Sequence, residues 1–382
     1  MQDSGSNFTQ ENKYKMQLIL NQSRVTKTGA GLARFSHQSL LCLKQMVEHI
    51  LVISQSDFSF DNDVSCIKVP LYFQIKTKSS LLRPIMWFFY FLLWGLRCKD
   101  PVISTTHHAI PFHRRQIVVV HDLRPFHYPD SWLQYCYFRF ILPHTLKKVD
   151  AVVTVSNAVK YKLIKKYDLD EKKIYIVPNS VTPMPTNYIT KSSFIEDDTI
   201  NDDPYLLMIG ASWFHKNAHE VIENSTAWAN NYMLKIICGP GRYKDYLKSL
   251  VLKKGLKDRV EFLGNVSEAT LWNLISRAKA LVYPSLDEGF GIPPLEALSA
   301  GTPVVVSDIQ VLREVLGPAA IYVKLGCSES WVNAFATLRD PNLLSAIMQN
   351  VPDQLLRYSE DVIFRSWSHV IMNTWPGLYK KK

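Results

Sequence analysis

The chain has 382 residues, which is enough for two ordinary domains. Its composition, 47 % hydrophobic and 20 % charged, is that of a folded α/β protein and excludes an intrinsically disordered chain. The formal net charge of +10 falls mostly in the first half, where residues 13–175 hold 24 Lys and Arg against 11 Asp and Glu. This excess predicts an anionic partner. Because no recognised nucleic-acid-binding module accompanies it, nucleic acid is not the expected one.

The N-terminus and the cysteines bear on the compartment. The first twelve residues are polar and lack an apolar centre, so they predict neither a signal peptide nor a membrane anchor. The six cysteines are scattered and include no Cys-x-x-Cys pair, which predicts reduced thiols in a cytoplasmic protein. They are Cys42, Cys66, Cys98, Cys136, Cys238 and Cys327.

Short apolar runs alternate with helical patterns along the whole chain and predict the strands of two parallel sheets. The runs are residues 17–20, 67–73, 101–104, 117–120, 151–155 and 174–177 in the first half, then 205–209, 234–237, 260–263, 281–283, 304–306 and 321–323. A polar, proline-interrupted segment, 183–203, predicts a linker. We therefore expect two Rossmann-like domains, 13–182 and 204–352, with a terminal helix at 353–378 and a ligand between the carboxyl ends of both sheets.

The segment Pro84–Leu96 is apolar and rich in aromatic residues, but it is too short to span a bilayer. Basic residues at positions 83, 97 and 99 flank it. Two interpretations stay open: a buried core helix, or a helix that dips into the interface of an anionic membrane. Both hold if one face packs against the domain while aromatic residues between Trp87 and Trp94 enter the membrane.

The most informative stretch runs from Tyr283 to Ser307. Residues 280–283 and 302–306 read as buried parallel strands, and the two prolines at 293 and 294 suit the first turn of a helix between them. Gly289-Phe-Gly291 then lies at a helix N-terminus beyond the carboxyl end of a strand, where free N–H groups favour an anion such as a diphosphate. The carboxylates of Glu288 and Glu296 would repel that anion unless they face sugar hydroxyls.

The segment Glu288-Gly-Phe-Gly-Ile-Pro-Pro-Leu-Glu-Ala-Leu-Ser-Ala-Gly-Thr-Pro-Val-Val305 resembles the signature of retaining glycosyltransferases of the GT-B fold, family 4. The alternative is a strand–helix–strand unit with surface glutamates. The resemblance covers residues 15 to about 375. It implies an α/β protein with two Rossmann-like domains facing across a cleft, and a C-terminal helix that crosses back to the first domain.

The resemblance also implies residue roles. Glu288 corresponds to the acid near the reacting carbon of the donor sugar, and Glu296 to the one that binds the ribose hydroxyls of the nucleotide. The amides of Phe290 and Gly291 would hold sugar or phosphate oxygens. Lys216 would offset the charge that grows on the departing diphosphate; the alternative is a solvated surface lysine.

The resemblance also implies roles for three further positions, each with a plain structural alternative. His121 follows the strand 117–120 and resembles the family histidine that reaches toward donor sugar and acceptor; a cap or core histidine is the alternative. Gly29 and Gly31 resemble the glycine-rich first loop beside the diphosphate, although a plain turn also fits them. The family's usual arginine before the lysine is replaced by His215, which binds phosphate less strongly when neutral.

Two other patterns invite a metal site. Asp61-Asn-Asp63 has a metal-binding spacing but precedes a strand within a polar loop. His107-His108 has no carboxylate–histidine cluster around it and fits an acceptor-side loop better. Neither supports a metal, and we expect no metal and no bound cofactor.

The function implied is a hexosyltransferase that moves a hexose with retention from a nucleotide-diphosphate sugar to a growing lipid-linked oligosaccharide. The acceptor would be a polyprenyl-pyrophosphate-linked chain of cell-surface polysaccharide, O-antigen or capsule. The enzyme would be cytoplasmic, with peripheral attachment to the inner face of the membrane. The alternatives are another GT-B activity, such as a sugar-nucleotide epimerase or a phosphorylase, and a non-catalytic scaffold of an assembly complex.

Overall fold

The computed structural model describes residues 17–25, 30–55, 64–70, 83–181 and 203–380. Two parallel sheets are built from these residues, as the alternating apolar runs predict. The first has seven strands in the order β3-β2-β1-β4-β5-β6-β7. They are β1 Leu18–Asn21, β2 Ile50–Ser54, β3 Ser65–Lys68, β4 Val102–Ser104, β5 Gln116–Val120, β6 Ala151–Thr154 and β7 Ile174–Ile176.

The second sheet has six strands in the order β10-β9-β8-β11-β12-β13. They are β8 Tyr205–Ile209, β9 Met233–Ile237, β10 Val260–Leu263, β11 Ala280–Tyr283, β12 Val304–Ser307 and β13 Ile321–Val323. Strand β11 pairs in parallel with β8 on one side and with β12 on the other. The loops that leave the carboxyl ends of β8 and β11 therefore emerge side by side at one edge of the sheet.

Helices connect the strands in both sheets. In the first half they are α1 Ala30–Met46, α2 Arg83–Arg97, α3 Trp132–Cys136, α4 Leu142–Lys148 and α5 Asn157–Tyr167, with a π-helical turn, Tyr137–Ile141, joining α3 to α4. In the second half they are α6 Ala218–Glu223, α7 Arg242–Lys253, α8 Glu268–Arg277, α9 Ile292–Ser299, α10 Gln310–Leu316, α11 Ser328–Arg339, α12 Pro341–Met348, α13 Val351–Leu356 and α14 Glu360–Thr374.

The chain divides into two compact units, residues 1–117 with 368–382, and residues 118–367. The end of the chain belongs to the first unit, as expected for a returning C-terminal helix: the Lys380 amide donates to the Met46 carbonyl at 2.7 Å. Instead of one helix over 353–378, the tail forms α13 and α14 with a break between them. The predicted domain boundaries and the 183–203 linker, which falls almost wholly outside the described residues, stay predictions.

Strand β2 is absent from the predicted set. It begins four positions after α1 ends, with only Val47, Glu48 and His49 between the two elements. Hydrophobic periodicity alone does not separate a helix from a strand across so short a connection.

Helix α2, which covers the 84–96 segment, buries one face and exposes the other. Trp87 and Phe91 are buried and pack with Ile19 and Val102 of the first sheet, so they belong to the core. The prediction that Trp87 and Phe91 enter a membrane is therefore wrong. The opposite side exposes other apolar side chains, namely Met86, Phe89, Leu93 and Leu96. Within the described residues, no helix is both long enough and apolar enough to cross a bilayer.

Candidate active site

Lys216 and Glu288 are brought together by the pairing of β8 with β11. Lys216 ends a 3₁₀ turn, Phe214–Lys216, in the loop that follows β8, and Glu288 lies in the loop that follows β11. Because the two strands are parallel neighbours, both loops leave the same edge of the sheet. Carboxyl ends of parallel strands are where ligands bind in open α/β sheets.

The two side chains form a compact triangle with Tyr283, the last residue of β11. The Lys216 ammonium donates to Glu288 Oε1 at 2.6 Å and to the Tyr283 hydroxyl at 2.7 Å, and that hydroxyl donates to the same Oε1 at 2.8 Å. The Lys216 and Glu288 side chains are only 17 % and 14 % exposed. This geometry contradicts the alternative of a solvated surface lysine.

The contacts within this triangle determine the protonation states of its three side chains. Burial alone would lower the pKa of Lys216, but the charges and hydrogen bonds of Tyr283 and Glu288 raise it. Burial alone would raise the pKa of Glu288, but the nearby Lys216 ammonium lowers it. Burial and the Glu288 charge raise the pKa of Tyr283. The pair therefore stays ionised from mildly acidic to alkaline pH, with Tyr283 a neutral donor.

The residues around Glu288 fasten its loop to α5. Asp287 forms an ion pair with Lys162 of α5. The Ser156 hydroxyl, which caps α5 by accepting the Val159 amide at 3.2 Å, donates to the Gly289 carbonyl at 2.9 Å. The loop that presents Glu288 is thus held from both sides of that residue.

Gly289 allows this loop to reach the strand end at His121. A Cβ at position 289 would lie 2.1 Å from the His121 carbonyl oxygen and 3.0 Å from the Cβ of Asp122. No side chain other than hydrogen fits there unless the backbone shifts. His121 itself is half-buried immediately after β5, as the sequence predicts.

Helix α9 starts where the sequence predicts. Gly291 caps the helix with φ 110°, a left-handed conformation that favours glycine, and two prolines follow in the first turn. The Phe290 ring is buried against Tyr358, with ring centroids 5.1 Å apart. Glu296 lies within α9 and is buried. The roles of the Phe290 and Gly291 amides and of the Glu296 carboxylate stay predictions.

His215 is buried and neutral. Burial, together with the charges of Arg124 and Lys216, lowers its pKa from 6.5 to about 4. Its ring lies beside Tyr128, with centroids 5.9 Å apart, and its carbonyl accepts the Leu286 amide at 2.8 Å. Position 215 therefore supports the loop before Asp287 and does not supply the positive charge that an arginine would.

Arg313 of α10 does not supply that charge, because it is engaged by other residues. Its guanidinium donates to both carboxylate oxygens of Asp308, at 2.6 and 2.9 Å, and lies 3.7 Å from the ring centroid of Tyr322. Arg124 lies close enough for its charge to lower the pKa of His215, and its guanidinium is 3.8 Å from the Asp130 carboxylate.

The remaining predicted positions lie elsewhere or outside the described residues. Gly31 is the second residue of α1 and is not in a loop, whereas Gly29 and Asp61-Asn-Asp63 lie outside the described residues. The rings of His107 and His108 are 4.2 Å apart, and burial and nearby positive charge lower the pKa of His108 far below its usual range.

Several residues of the site were not predicted. Tyr283 lies five residues before the signature segment, and a tyrosine at the end of a strand reads as core. Ser156 precedes α5 and carries no sign in the sequence of a contact with the Glu288 loop. Asp287 and Lys162 are 125 positions apart, and Glu314 of α10 accepts the Asn157 and Ala158 amides at 2.6 and 2.8 Å. Such long-range pairings leave no signal in one sequence.

Comparison with known proteins identifies the family of the chain. Residues 191–350 match the family described as glycosyl transferases group 1, and residues 42–183 match the one described as glycosyltransferase family 4. The chain is 38 % identical over 353 residues to the O-antigen chain mannosyltransferase RfbU of Salmonella typhimurium, over 90 % of this chain and 94 % of that protein. It is 28 % identical over 246 residues to the O-antigen chain mannosyltransferase B of Escherichia coli, over 60 % and 62 % of the two chains.

Among solved structures, Anabaena Alr3699/HepE in complex with UDP and glucose is similar with a TM-score of 0.70 at 15 % identity, over 94 % of this chain and all of that one. The predicted fold, two parallel-sheet α/β domains of the GT-B type, is confirmed. The similarity in sequence extends over nearly the whole chain. This protein therefore belongs to the glycosyltransferases of family 4.

Proposed function

We propose that this glycosyltransferase moves a hexose from a nucleotide-diphosphate sugar with retention of configuration at the transferred carbon. The observation that carries the proposal is the Lys216–Glu288–Tyr283 triangle beside the glycine-started helix α9. A buried, charged ammonium, together with the free backbone N–H groups that precede Pro293, favours the bound donor diphosphate, and favours it more as negative charge develops on it.

The chemistry follows from these groups. The bond between the sugar carbon and the phosphate oxygen breaks, the bonding electrons leave with the diphosphate, and the sugar passes through an oxocarbenium-like state. Lys216 and the start of α9 stabilise the departing anion, and Glu288 lies near the positive reacting carbon. The acceptor hydroxyl attacks from the side the diphosphate leaves, and its proton passes to a diphosphate oxygen. We propose that no metal ion takes part.

The other predicted residues take supporting roles. Glu296 accepts hydrogen bonds from the ribose hydroxyls, and the amides of Phe290 and Gly291 bind phosphate or sugar oxygens. His121, at the end of β5, faces donor sugar and acceptor. Gly29 and Gly31 border the diphosphate.

The transferred sugar is mannose, and the acceptor is a polyprenyl-pyrophosphate-linked oligosaccharide of O-antigen or related polysaccharide. Two relatives described as O-antigen chain mannosyltransferases support this assignment, one of them along almost the entire chain.

A lipid-linked acceptor places the enzyme at the cytoplasmic face of the membrane, as a peripheral protein. The exposed side of α2, with Phe89, Leu93 and Leu96, is one surface able to enter the interface. Replacing Phe89 and Leu93 by serine should reduce the salt-resistant part of vesicle binding without unfolding the protein. Unchanged salt-resistant binding would remove α2 from this role.

The test is donor hydrolysis without acceptor. The protein is incubated with GDP-, UDP- and dTDP-hexoses in the presence of EDTA, and release of the nucleoside diphosphate is measured. We expect slow release from GDP-mannose, with the sugar freed as the anomer that the donor carried. Opposite configuration would overturn retention, and activity lost to EDTA and restored by a divalent ion would overturn the metal-free step.

A matched variant, Glu288→Gln, distinguishes catalysis from a contaminating hydrolase, because release should fall while the chain stays folded. If no nucleotide sugar is hydrolysed and no nucleoside diphosphate raises the melting temperature, the protein is a non-catalytic scaffold and the proposal fails.

A further inference from the structure

The loop that carries Lys216 also exposes two large aromatic side chains. Trp213 is 52 % exposed and Phe214 is 54 % exposed, although both lie within three positions of the largely buried Lys216. Apolar side chains exposed singly are common, but adjacent aromatic rings at the edge of a binding site mark a contact surface. The two rings therefore indicate that a ligand extends beyond the Lys216–Glu288–Tyr283 triangle.

The backbone holds Trp213 close to Lys216. The Lys216 amide donates to the Trp213 carbonyl at 3.0 Å, which closes a four-residue turn. The Cα atoms at the two ends of such a turn lie within about 7 Å of each other. Just before the turn, the Ser212 hydroxyl accepts the Gly239 amide at 2.9 Å and ties the loop to the end of β9. The indole of Trp213 is thus fixed within the reach of one sugar ring from Lys216.

Phe214 lies on a cluster of aromatic side chains from α6 and α7. Its ring stacks on His219 with centroids 4.9 Å apart and meets Tyr243 edge-on at 5.8 Å. Tyr246, which is 44 % exposed, stacks on Tyr243 at 6.1 Å. The Tyr243 hydroxyl accepts the His219 amide at 3.3 Å and lies 2.9 Å from Nδ1 of the same histidine. These contacts hold the exposed faces of the rings in one arrangement.

The rings and the cluster beneath them are uncharged at neutral pH. Burial lowers the pKa of His219, although Glu223 and Glu220 oppose this. Burial raises the pKa of Tyr243 to about 12. Neutral rings with indole and hydroxyl groups at their edges are a poor match for a phosphate or a carboxylate. They match a neutral sugar, whose C–H bonds pack on the negative faces of aromatic rings and whose hydroxyls hydrogen-bond at the edges.

We propose that Trp213 and Phe214 form the acceptor subsite: the neutral sugar that carries the attacking hydroxyl stacks on Trp213, and the next sugar of the acceptor lies over Phe214. This inference rests on the proposed function, because it takes Lys216 and Glu288 as the place where the donor sugar is attacked. The attacking hydroxyl has to touch the reacting carbon, so its sugar lies directly beside these two residues. The donor nucleobase is separated from that carbon by a diphosphate and a ribose, which favours the acceptor as the ligand of Trp213.

The experiment uses soluble sugars as probes. Methyl α-mannoside, methyl α-galactoside, methyl α-rhamnoside and methyl α-glucuronide are each added to the protein with GDP, and binding is detected by saturation-transfer NMR. In parallel, GDP release from GDP-mannose is measured with and without each glycoside. We expect at least one neutral glycoside to bind and to speed GDP release, whereas the charged glucuronide should do neither.

Two substitutions of Trp213 separate ring stacking from apolarity. Trp213→Leu keeps an apolar side chain and removes the ring face, so the KM for the active glycoside should rise by up to about tenfold, the effect of losing one aromatic contact. The kcat should change much less. Trp213→Phe retains a ring and should restore most of the binding. Thermal unfolding checks that both variants are folded, which is expected because the side chain is half exposed.

Phe214 is tested with a longer probe. Phe214→Leu should weaken the binding of mannobiose more than that of methyl α-mannoside, because only the second sugar reaches position 214. Equal weakening of the two probes, or none, would remove Phe214 from the subsite.

Four outcomes would overturn the inference. The wild type binds none of the neutral glycosides, or it binds the glucuronide equally well. Trp213→Leu binds the active glycoside as tightly as the wild type does. Trp213→Leu loses the rise in melting temperature that GDP causes and keeps its sugar binding, which would assign the ring to the nucleobase. Failure of the proposed reaction looks different: a neutral glycoside then binds through Trp213, but no nucleotide sugar is hydrolysed.

Discussion

Asp287 and Glu288 are adjacent in the sequence, yet their ion pairs differ in partner and in purpose. Asp287 pairs with Lys162 on α5, whose side chain is 33 % exposed, while Glu288 pairs with Lys216, whose side chain is 17 % exposed and also binds Tyr283. The first pair joins a loop to a helix near the surface. The second lies at the sheet edge where ligands bind. We infer that the first positions the loop and the second acts on the substrate.

The largest effect is expected when Lys216 is replaced by methionine, which keeps the apolar stem and removes the charge. Turnover should fall by about 10²–10³, the usual cost of losing one preorganised group that stabilises a developing anion. Stability should fall too, because Glu288 is left buried without its charged partner. The measurement is donor hydrolysis per folded molecule, with folding checked by thermal unfolding.

Lys216→Arg is the companion variant. It keeps the charge but not the shape of the triangle, so turnover should recover only in part. If Lys216→Met turns over at the wild-type rate once corrected for folding, the two ion pairs do not differ in purpose and the comparison is wrong.

The second effect is a pH dependence of stability that comes from His215, the buried neutral histidine that precedes Lys216. The ordinary histidine pKa of 6.5 falls to about 4 in the folded chain, so as pH falls the unfolded chain binds this proton first. The contribution of His215 to stability is therefore complete above about pH 6.5 and is lost toward pH 4, on the order of 3 kcal/mol in all.

Urea unfolding of wild type and His215→Gln between pH 7.5 and 4.5 measures this loss. The difference between the two free energies of unfolding should shrink as the pH falls, since glutamine does not titrate. A difference that is constant with pH would contradict a neutral, buried histidine. His215→Arg should destabilise the chain, because it buries a cation beside Arg124 and Lys216.

A third variant, Gly289→Ala, tests the close contact between the Glu288 loop and the His121 carbonyl. Alanine there places a methyl group against the His121 carbonyl, and overpacking of this kind costs about 1–3 kcal/mol. The melting temperature should fall by roughly 2–4 °C per kcal/mol, and turnover should fall because Glu288 moves. Gly264→Ala is the matched control: it has open space around its Cα, and its effect should be small. Equal effects of the two substitutions would contradict this prediction, because they would show that the loop moves to accommodate a methyl group at position 289.

The sequence predicted the architecture well because its signals are local. Alternating apolar runs predicted most of the strands, and the prolines and glycines around 289–301 predicted α9 with its start and end. Glu288 and Lys216 were predicted by resemblance, although nothing in the residues said that they touch. Their contact depends on which strands are neighbours, β8 beside β11, and a single sequence does not state strand order.

The sequence was least informative where a side chain has two possible surroundings. Trp87 and Phe91 read equally well as core or as membrane anchors, and burial decided for the core. Asp287 looked like an ordinary loop acid until Lys162, far away in the chain, became its neighbour.

The smallest effect is expected for the pair that positions the loop. Lys162→Met removes a partly exposed ion pair, and such pairs contribute about 0–1 kcal/mol to stability. Turnover should fall less than about tenfold, because Ser156 still donates to the Gly289 carbonyl and holds the loop on α5. The assays are the same as for Lys216→Met. The two variants form a matched pair, because each replaces the lysine partner of one of two adjacent acids, Asp287 and Glu288, by methionine.

Combining Lys162→Met with Ser156→Ala should reduce turnover by more than the sum of the two single changes in activation free energy, since only then is the loop released from α5. Strict additivity would mean that the two contacts act independently, and Asp287 would then lose its assigned role of holding Glu288 in place.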